Sequence, residues 1–259
     1  MIPLSWVGAA FNYPKDPEFA AQAEDPQRPE QRKINASKHR MSDGFSNAKE
    51  LIESRFAHED LAVESERSLY EGFFDAAAIT LRHRRFDKNW SEIVEREVFH
   101  RAQAVAIVPY DPVLDAIGLV DQFRAGLVHS SQSPWTLEGV AGMRDKHFPD
   151  EPLDALARRE LVEEAGIKDC HLIPITQYFS TPGGCGESIQ LFCALCDLAN
   201  KRGSYGLVEE HEDLYFHVFR ADDVFEQLYT GRLNNAATLI SLQWLQAHRA
   251  GLRDKAAEV

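Results

Sequence analysis

Three glutamates lie close together in the middle of the chain, in the run Arg-Glu-Leu-Val-Glu-Glu-Ala-Gly-Ile that begins at Arg159. Glu160 and Glu164 are four residues apart, and Glu163 is three residues from Glu160, so in a helix the three carboxylates share one side. Paired carboxylates are the oxygen ligands that Mg²⁺ and Mn²⁺ bind, with water and phosphate oxygens completing the coordination. The pattern therefore indicates a metal site, and the alternative is a solvated acidic face.

The residues around these glutamates have the features of a helix. The segment follows an Asp-Glu-Pro sequence that ends at Pro152, and acidic residues with a first-turn proline are typical of a helix N-terminus. Gly166 is typical of a helix end. The sequence predicts a helix over Leu153–Ala165 whose leucines face the core, so the acidic side is directed away from it.

The spacing of the charged residues resembles the Nudix box. The family pattern is Gly-x5-Glu-x7-Arg-Glu-U-x-Glu-Glu-x-Gly-U, in which U is a bulky aliphatic residue. The matching positions are Gly142, Glu151, Arg159, Glu160, Leu161, Glu163, Glu164, Gly166 and Ile167. Eight residues separate Gly142 from Glu151 where the pattern has five, which is a three-residue expansion. The expansion puts the geometry of the loop before the helix in question more than the metal site.

The resemblance implies roles for the residues of the box. Glu160, Glu164 and the main-chain carbonyl of Ala141 would bind the metal, Mg²⁺ or Mn²⁺. Glu163 would be a further ligand or would support the ligands, and Arg159 would orient the glutamates through ion pairs. Such ions neutralise the charge of a bridged pyrophosphate and lower the pKa of an attacking water.

Blocks on both sides of the box resemble the bacterial ADP-ribose pyrophosphatase family over roughly residues 60 to 250. They are Leu69–Phe74, Ser133–Trp135, Ser180–Gly184, Glu209–Asp213, Gly231–Ala236 and Leu242–Leu245. This resemblance implies hydrolysis of ADP-ribose to AMP and ribose 5-phosphate. One alternative is the same chemistry on another nucleoside diphosphate sugar. Another is a ligand-sensing module without activity, but such a module is expected to lose box carboxylates that this chain retains.

The same resemblance implies the remaining site residues. Glu210 occupies the position of the catalytic base, with Glu209 and Glu212 as alternatives in the same acidic loop. The implied substrate-binding residues are Phe73, Phe74, Arg96, Glu97, Arg101, Arg124, Met143, Thr181, Pro182, Gly183 and Glu187. The phenylalanines would offer aromatic surface to adenine, and the glycine-rich turn would let the backbone approach the substrate. In the resembled family the N-terminal strands reach a second subunit, so a homodimer is implied.

Short strands and a few helices must position these residues. Runs of aromatic and β-branched residues predict strands within 70–86 and 98–108, and then over Ala116–Phe123, Trp135–Val140, His171–Phe179, Ile189–Leu195 and Leu214–Phe219. Two further helices are predicted over 221–230 and 236–249. These elements favour a Nudix α/β/α sandwich with a mixed sheet, preceded by a small β-rich domain. We expect a flexible extension over residues 1–55, a β-rich dimerisation and substrate segment over 56–100, and the Nudix hydrolase domain over 101–259.

Composition limits the partners of the 259-residue chain. Its 41 acidic and 28 basic residues give a formal net charge of -13, which repels a nucleic acid backbone. We find no leader and no long apolar stretch, so the expectation is a cytoplasmic protein without a membrane partner. There are four cysteines, Cys170, Cys185, Cys193 and Cys196. Cys193 and Cys196 have the spacing of metal ligands, but they lie in an apolar run and no second Cys/His pair lies at a typical distance, so we expect small buried thiols.

Overall fold

The computed structural model of the protein describes residues 55–145, 147–207 and 211–257. The chain divides into two compact units, Met1–Asp60 and Leu61–Val259, and both β-sheets belong to the second unit. Except for Arg55, the extension expected over residues 1–55 lies outside the described residues. The first unit is described from Arg55 and includes a 3-10 helix, His58–Asp60.

The smaller sheet has three antiparallel strands in the order β1-β2-β3. They are β1 Leu61–Tyr70, β2 Asp75–His83 and β3 Val94–His100. Every residue of β1 except Ala62 is exposed to solvent, whereas Ala77 and Ala78 of the central strand are buried. The first strand therefore has little cover on either face.

The larger sheet has eight strands and is mixed. The strands are β4 Ala104–Asp111, β5 Ala116–Phe123, β6 Trp135–Glu138, β7 Val140–Met143, β8 His171–Phe179, β9 Ser188–Leu195, β10 Gly203–Tyr205 and β11 Leu214–Arg220. The main path runs β10-β11-β5-β4-β9-β8, with β6 on β5 and β7 on β4. β4 and β9 are parallel and the other pairs are antiparallel.

Helices cover both faces of this sheet, so the predicted α/β/α sandwich is confirmed. The helices are α1 Leu153–Ala165, α2 Ala221–Phe225 and α3 Ala236–Ala257. Leu156 and Leu161 of α1 pack into one apolar core, and Leu242 and Leu245 of α3 pack into another. Among the described residues, no helix is long and apolar enough to cross a membrane.

Two helices differ in length from the prediction. The helix expected over 221–230 ends at Phe225 and is followed by turns, in which the N–H of Gln227 donates to the carbonyl of Val224. The helix expected to end at Arg249 continues to Ala257. Its last turns are stabilised by tertiary contacts, because Arg249 and Arg253 both pair with Asp115 in the β4–β5 turn.

β4 and β5 separate part-way along the larger sheet. One of the strands that fill the gap, β7, packs against α1, the helix that carries the three glutamates. β4 and β5 pair beside their connecting turn and then separate, so that β6 and β7 fill the gap. The strand predicted over Trp135–Val140 is in fact two strands interrupted at Gly139. A Cβ at this glycine would lie 2.6 Å from the carbonyl oxygen of Ile107, and its N–H donates to the Thr238 hydroxyl of α3 at 3.0 Å. Close backbone approach therefore requires glycine at the interruption.

The four cysteines are free thiols. Cys193 lies in the core, where burial raises the pKa of its thiol to about 12, and the other three are half-buried. The most deeply buried thiol, that of Cys193, therefore remains protonated at neutral pH.

Candidate active site

Two glutamates of α1 pack against β7. Gly142 lies under Glu160, and a Cβ at this glycine would overlap the Glu160 carboxylate. The N–H of Ala141 donates to Oε2 of Glu164 at 3.1 Å. Glu160 is 8% exposed and Glu164 is 2% exposed. The helix and the strand thus hold two carboxylates side by side in a buried position.

The negative charge of Glu164 is only partly compensated by neighbouring residues, whereas Glu160 pairs with Arg159 at 3.0 Å. Burial raises the pKa of Glu164 well above its ordinary value, and the neighbouring charge of Glu160 raises it further. The hydrogen bond from Ala141 and the charge of Arg124 oppose the shift but do not cancel it. A divalent cation at this position would supply the missing positive charge.

A third oxygen donor faces the same place. The N–H and C=O of one strand residue point to the same side of the strand, so the Ala141 carbonyl lies on the side of its N–H, toward Glu164. Within the described ranges, no three or more His, Cys, Asp or Glu side chains form a complete metal cluster. Two carboxylates and a carbonyl nevertheless fit Mg²⁺, which commonly takes one or two carboxylates and fills its octahedron with water and phosphate oxygens.

Arg159 explains why the third glutamate is not directed into the pair. Its guanidinium lies 2.8 Å from Glu163, 3.0 Å from Glu160 and 3.5 Å from Glu151. Burial alone would lower the pKa of Arg159, but the three glutamates outweigh burial and raise it. One arginine therefore binds three carboxylates of the box, on the outer side of α1.

Arg124 lies on the other side of the carboxylate pair. Its Nε and one terminal nitrogen donate to Glu138, the last residue of β6, with a shortest distance of 2.8 Å. Burial lowers the pKa of Arg124, yet the hydrogen bonds and charge of Glu138 outweigh burial and raise it, with smaller contributions from Glu164 and Glu212. The charges of Glu164 and Glu212 therefore act on Arg124, although its hydrogen bonds go to Glu138.

The sequence analysis missed Glu138, although a signal was present. Glu138 ends β6 after Leu137, two residues before the buried Val140, and it is itself buried. A glutamate among apolar strand residues is seldom buried without a partner. The partner, Arg124, lies on a different element and could not be assigned from spacing.

The acidic loop before β11 is described in part. Glu209 and Glu210, including the predicted base, lie outside the described residues. Glu212 is half-buried, and its backbone N–H donates to the carbonyl of Leu207 at 3.1 Å. Its charge raises the pKa of both Glu164 and Arg124. The described end of this loop therefore approaches the carboxylate pair.

Three predicted substrate-binding residues, Phe74, Met143 and Glu187, lie around a fourth, Arg101. We call these four residues the Arg101 cluster. The Arg101 guanidinium lies 4.6 Å from the centroid of the Phe74 ring, 3.1 Å from Oε1 of Glu187 and 4.0 Å from the sulfur of Met143. Glu187 also accepts a hydrogen bond from the hydroxyl of Ser180 at 2.9 Å. The cluster joins the small sheet to the strand that carries Gly142.

The glycine-rich turn lies at the edge of this cluster. The N–H of Gly184 donates to the carbonyl of Thr181 at 3.1 Å, and the N–H of Phe99 on β3 donates to the carbonyl of Gly184 at 2.8 Å. A Cβ added at Gly183 would meet nothing within 4 Å. The turn formed by Thr181, Pro182 and Gly183 therefore presents open backbone beside the small sheet.

Of the remaining predicted substrate residues, Phe73 contacts the Arg101 cluster at its edge. Phe73 is 78% exposed and contacts the edge of Phe74. Arg96 and Glu97 are exposed on β3, and Arg96 donates to the carbonyl of Glu95 at 2.9 Å. Among the described residues we find no contact from Arg96 or Glu97 to the cluster.

Comparison with known proteins identifies the family. The ADP-ribose pyrophosphatase of Escherichia coli (strain K12) is 35% identical over 200 residues, which cover 77% of this chain and 94% of that protein. The ADP-ribose pyrophosphatase of Haemophilus influenzae is 38% identical over 201 residues, covering 76% of this chain and 91% of that protein. This chain belongs to the ADP-ribose pyrophosphatase family of Nudix hydrolases. The family predicted from the box and its flanking blocks is thus confirmed.

Two further comparisons set the limits of this assignment to the ADP-ribose pyrophosphatase family. The GDP-mannose pyrophosphatase of Cronobacter sakazakii is 30% identical over 184 residues, covering 70% of this chain and 92% of that protein. A crystal structure of an ADP compounds hydrolase matches with a TM-score of 0.55 at 20% identity, covering 73% of this chain and 96% of that one. The latter likeness shows the fold alone. No protein-family model matches the chain.

The contact between Gly142 and Glu160 makes a testable prediction. Gly142→Ala should displace the Glu160 carboxylate and raise the Kd for Mn²⁺, on the order of 10- to 100-fold, while the chain stays folded. Gly203→Ala is the matched control, because its Cβ would meet only Tyr205 at an ordinary 3.6 Å. Equilibrium binding of Mn²⁺ measures the effect, and equal affinity in the two variants would contradict the assignment of Glu160 as a ligand.

Proposed function

We propose that this chain hydrolyses ADP-ribose, adding one water across the pyrophosphate to give AMP and ribose 5-phosphate. The observation that carries the proposal is the identity of 35% to 38% with ADP-ribose pyrophosphatases over more than nine tenths of their length. The retained box carboxylates agree with this chemistry, whereas a ligand-sensing module has no need of them.

The geometry supports a role for each residue of the site. Glu160, Glu164 and the Ala141 carbonyl would hold Mg²⁺, or Mn²⁺ in its place, and the bound ion would neutralise pyrophosphate oxygens and acidify a water. Arg159 orients the box glutamates, including Glu163, through its ion pairs. These residues therefore prepare a rigid anionic site before the substrate arrives.

The substrate would extend from this site toward the small sheet. Arg124 would bind a phosphate oxygen, since Glu138 engages only one edge of its guanidinium and its side chain is 41% exposed. The Arg101 cluster and the open turn at Gly183 would receive the rest of the nucleotide, with Phe73 and Phe74 offering aromatic surface to adenine. Arg96 and Glu97 would contact the nucleotide bound by a second subunit.

The first prediction from the proposed function concerns which nucleoside diphosphate sugar is preferred. ADP-ribose, ADP-glucose and GDP-mannose are assayed side by side with Mg²⁺, and kcat/KM is expected to be highest for ADP-ribose. GDP-mannose is included because a GDP-mannose pyrophosphatase is 30% identical to this chain. Equal kcat/KM values for the three substrates would refute the preference for ADP-ribose while leaving pyrophosphate hydrolysis in place.

The second prediction concerns the general base, which we assign to Glu210. Glu210→Gln should lower kcat on the order of 10²- to 10⁴-fold, because the attacking water then loses its proton acceptor. Glu209→Gln and Glu212→Gln are the comparison variants, and Mn²⁺ binding shows whether each variant keeps the metal site. If kcat falls further in either comparison variant than in Glu210→Gln, the base belongs to that residue.

We also propose that the small sheet forms a homodimer contact. β1 is exposed on both faces, and apolar side chains extend along it and the adjoining segments: Val63, Leu69, Tyr70, Phe73 and Phe99. An apolar surface of this kind is normally covered by another chain. A second copy would cover β1 and bring Arg96 and Glu97 toward a site other than their own.

A charged side chain introduced on β1 tests the proposed dimer contact. Val63→Lys should shift the chain from dimer to monomer in sedimentation velocity at micromolar concentration, because the ammonium cannot be buried in the contact. Val113→Lys is the control, since Val113 is also exposed, at 74% against 56% for Val63, and lies in the β4–β5 turn, far along the chain from β1. A wild-type chain that sediments as a monomer would contradict the proposal.

A further inference from the structure

Glu138 is a buried carboxylate to which the proposed reaction assigns no role. It is 3% exposed, yet both of its oxygens accept hydrogen bonds. Arg124 donates from Nε at 3.2 Å to each oxygen and from a terminal nitrogen at 2.8 Å to Oε2, and the Thr136 hydroxyl donates to Oε1. Burying the Glu138 carboxylate costs desolvation that an apolar side chain would avoid, so stability alone gives a weak reason for it.

Arg124 has other carboxylates within electrostatic reach. The charges of Glu164 and Glu212 both act on its guanidinium. Among the described residues, Glu138 is the carboxylate that accepts hydrogen bonds from Arg124. The arginine is therefore hydrogen-bonded to one carboxylate in β6, while two other acidic groups act on it through their charge.

The geometry of the guanidinium leaves part of it unused. Glu138 engages Nε and one terminal nitrogen, which form one edge of the planar group. The other terminal nitrogen is free of Glu138, and the Arg124 side chain is 41% exposed. One edge is thus fixed to the protein, and the opposite edge remains available to an anion.

We propose that Glu138 is a positioning residue that fixes Arg124 toward the substrate phosphate and keeps its guanidinium from pairing with Glu164 and Glu212. The inference rests on the proposed function, because it gives Arg124 a phosphate to bind and Glu164 a metal to hold. Glu138 itself touches neither of them. It acts by determining which carboxylate neutralises the arginine.

Two consequences follow for a chain that lacks the Glu138 charge. The Arg124 guanidinium loses its fixed edge, so substrate binding weakens and KM rises. The released guanidinium would also be drawn toward Glu164 and Glu212, the other carboxylates whose charges act on it, where it would compete with the metal. Removing Arg124 as well should cancel the second effect and retain the first.

The experiment compares wild type, Glu138→Gln, Arg124→Gln and the double variant. Mn²⁺ binding is measured without substrate by electron paramagnetic resonance of the free ion, and KM and kcat are measured with ADP-ribose. In Glu138→Gln we expect the Kd for Mn²⁺ and the KM each to rise on the order of 10-fold. In the double variant the Kd should return to that of wild type while the KM stays raised.

A matched control breaks a comparable ion pair away from the site. Asp115→Asn removes the carboxylate that pairs with Arg249 of α3, and it should leave the Kd for Mn²⁺ unchanged. Circular dichroism establishes that each variant is folded. If Glu138→Gln does not fold, Glu138→Asp replaces it, because the shorter carboxylate keeps the charge but not the reach, and the same two constants should rise.

The outcomes separate this inference from the proposed function. A folded Glu138 variant with unchanged Kd for Mn²⁺ and unchanged KM overturns the positioning role. A double variant that keeps the weakened Mn²⁺ binding overturns the competition by Arg124. Failure of wild type to hydrolyse ADP-ribose would instead overturn the proposed function, whereas the Mn²⁺ measurements would still decide the behaviour of Arg124.

Discussion

The main electrostatic constraint on this fold is the burial of Glu160 and Glu164 side by side on one helix. Glu164 is 2% exposed, and its pKa is raised by burial and by Glu160. Without a cation the folded chain is therefore stabilised while Glu164 is protonated. That stabilisation is lost as the pH rises from its ordinary pKa of 4.5 through the raised value. A divalent cation bound between these carboxylates would remove this penalty and would couple metal binding to folding at neutral pH.

The separation of β4 and β5 in the larger sheet makes room for β7, the strand against which Glu160 and Glu164 are buried. Where β4 and β5 separate, β6 ends at Glu138 and β7 begins at Val140, so the interruption at Gly139 divides two acidic centres. On one side Glu138 neutralises Arg124, and on the other Gly142 and Ala141 receive the glutamates of α1. A continuous strand would bring neither the arginine nor the glycine to its position.

Local patterns in the sequence predicted the metal side of the site more completely than the substrate side. The bounds of α1 agree with the prediction because Pro152, Gly166 and the charge pattern all act within the helix itself. The break at Gly139 and the partner of Arg124 were missed, since each depends on an element distant in sequence. α3 extends beyond the prediction for the same reason, through its ion pairs with Asp115.

The expansion before the box changes the rim of the site and leaves the ligands in place. The β4–β7 ladder extends to Arg144, whose N–H donates to the carbonyl of Gln103 at 2.8 Å. Turn hydrogen bonds follow, from the N–H of Phe148 to Asp145 and from that of Glu151 to Phe148. Glu151 then pairs with Arg159, which restores the spacing of the box. Because the ladder ends next to Met143 of the Arg101 cluster, the added residues border that cluster and leave α1 uninterrupted.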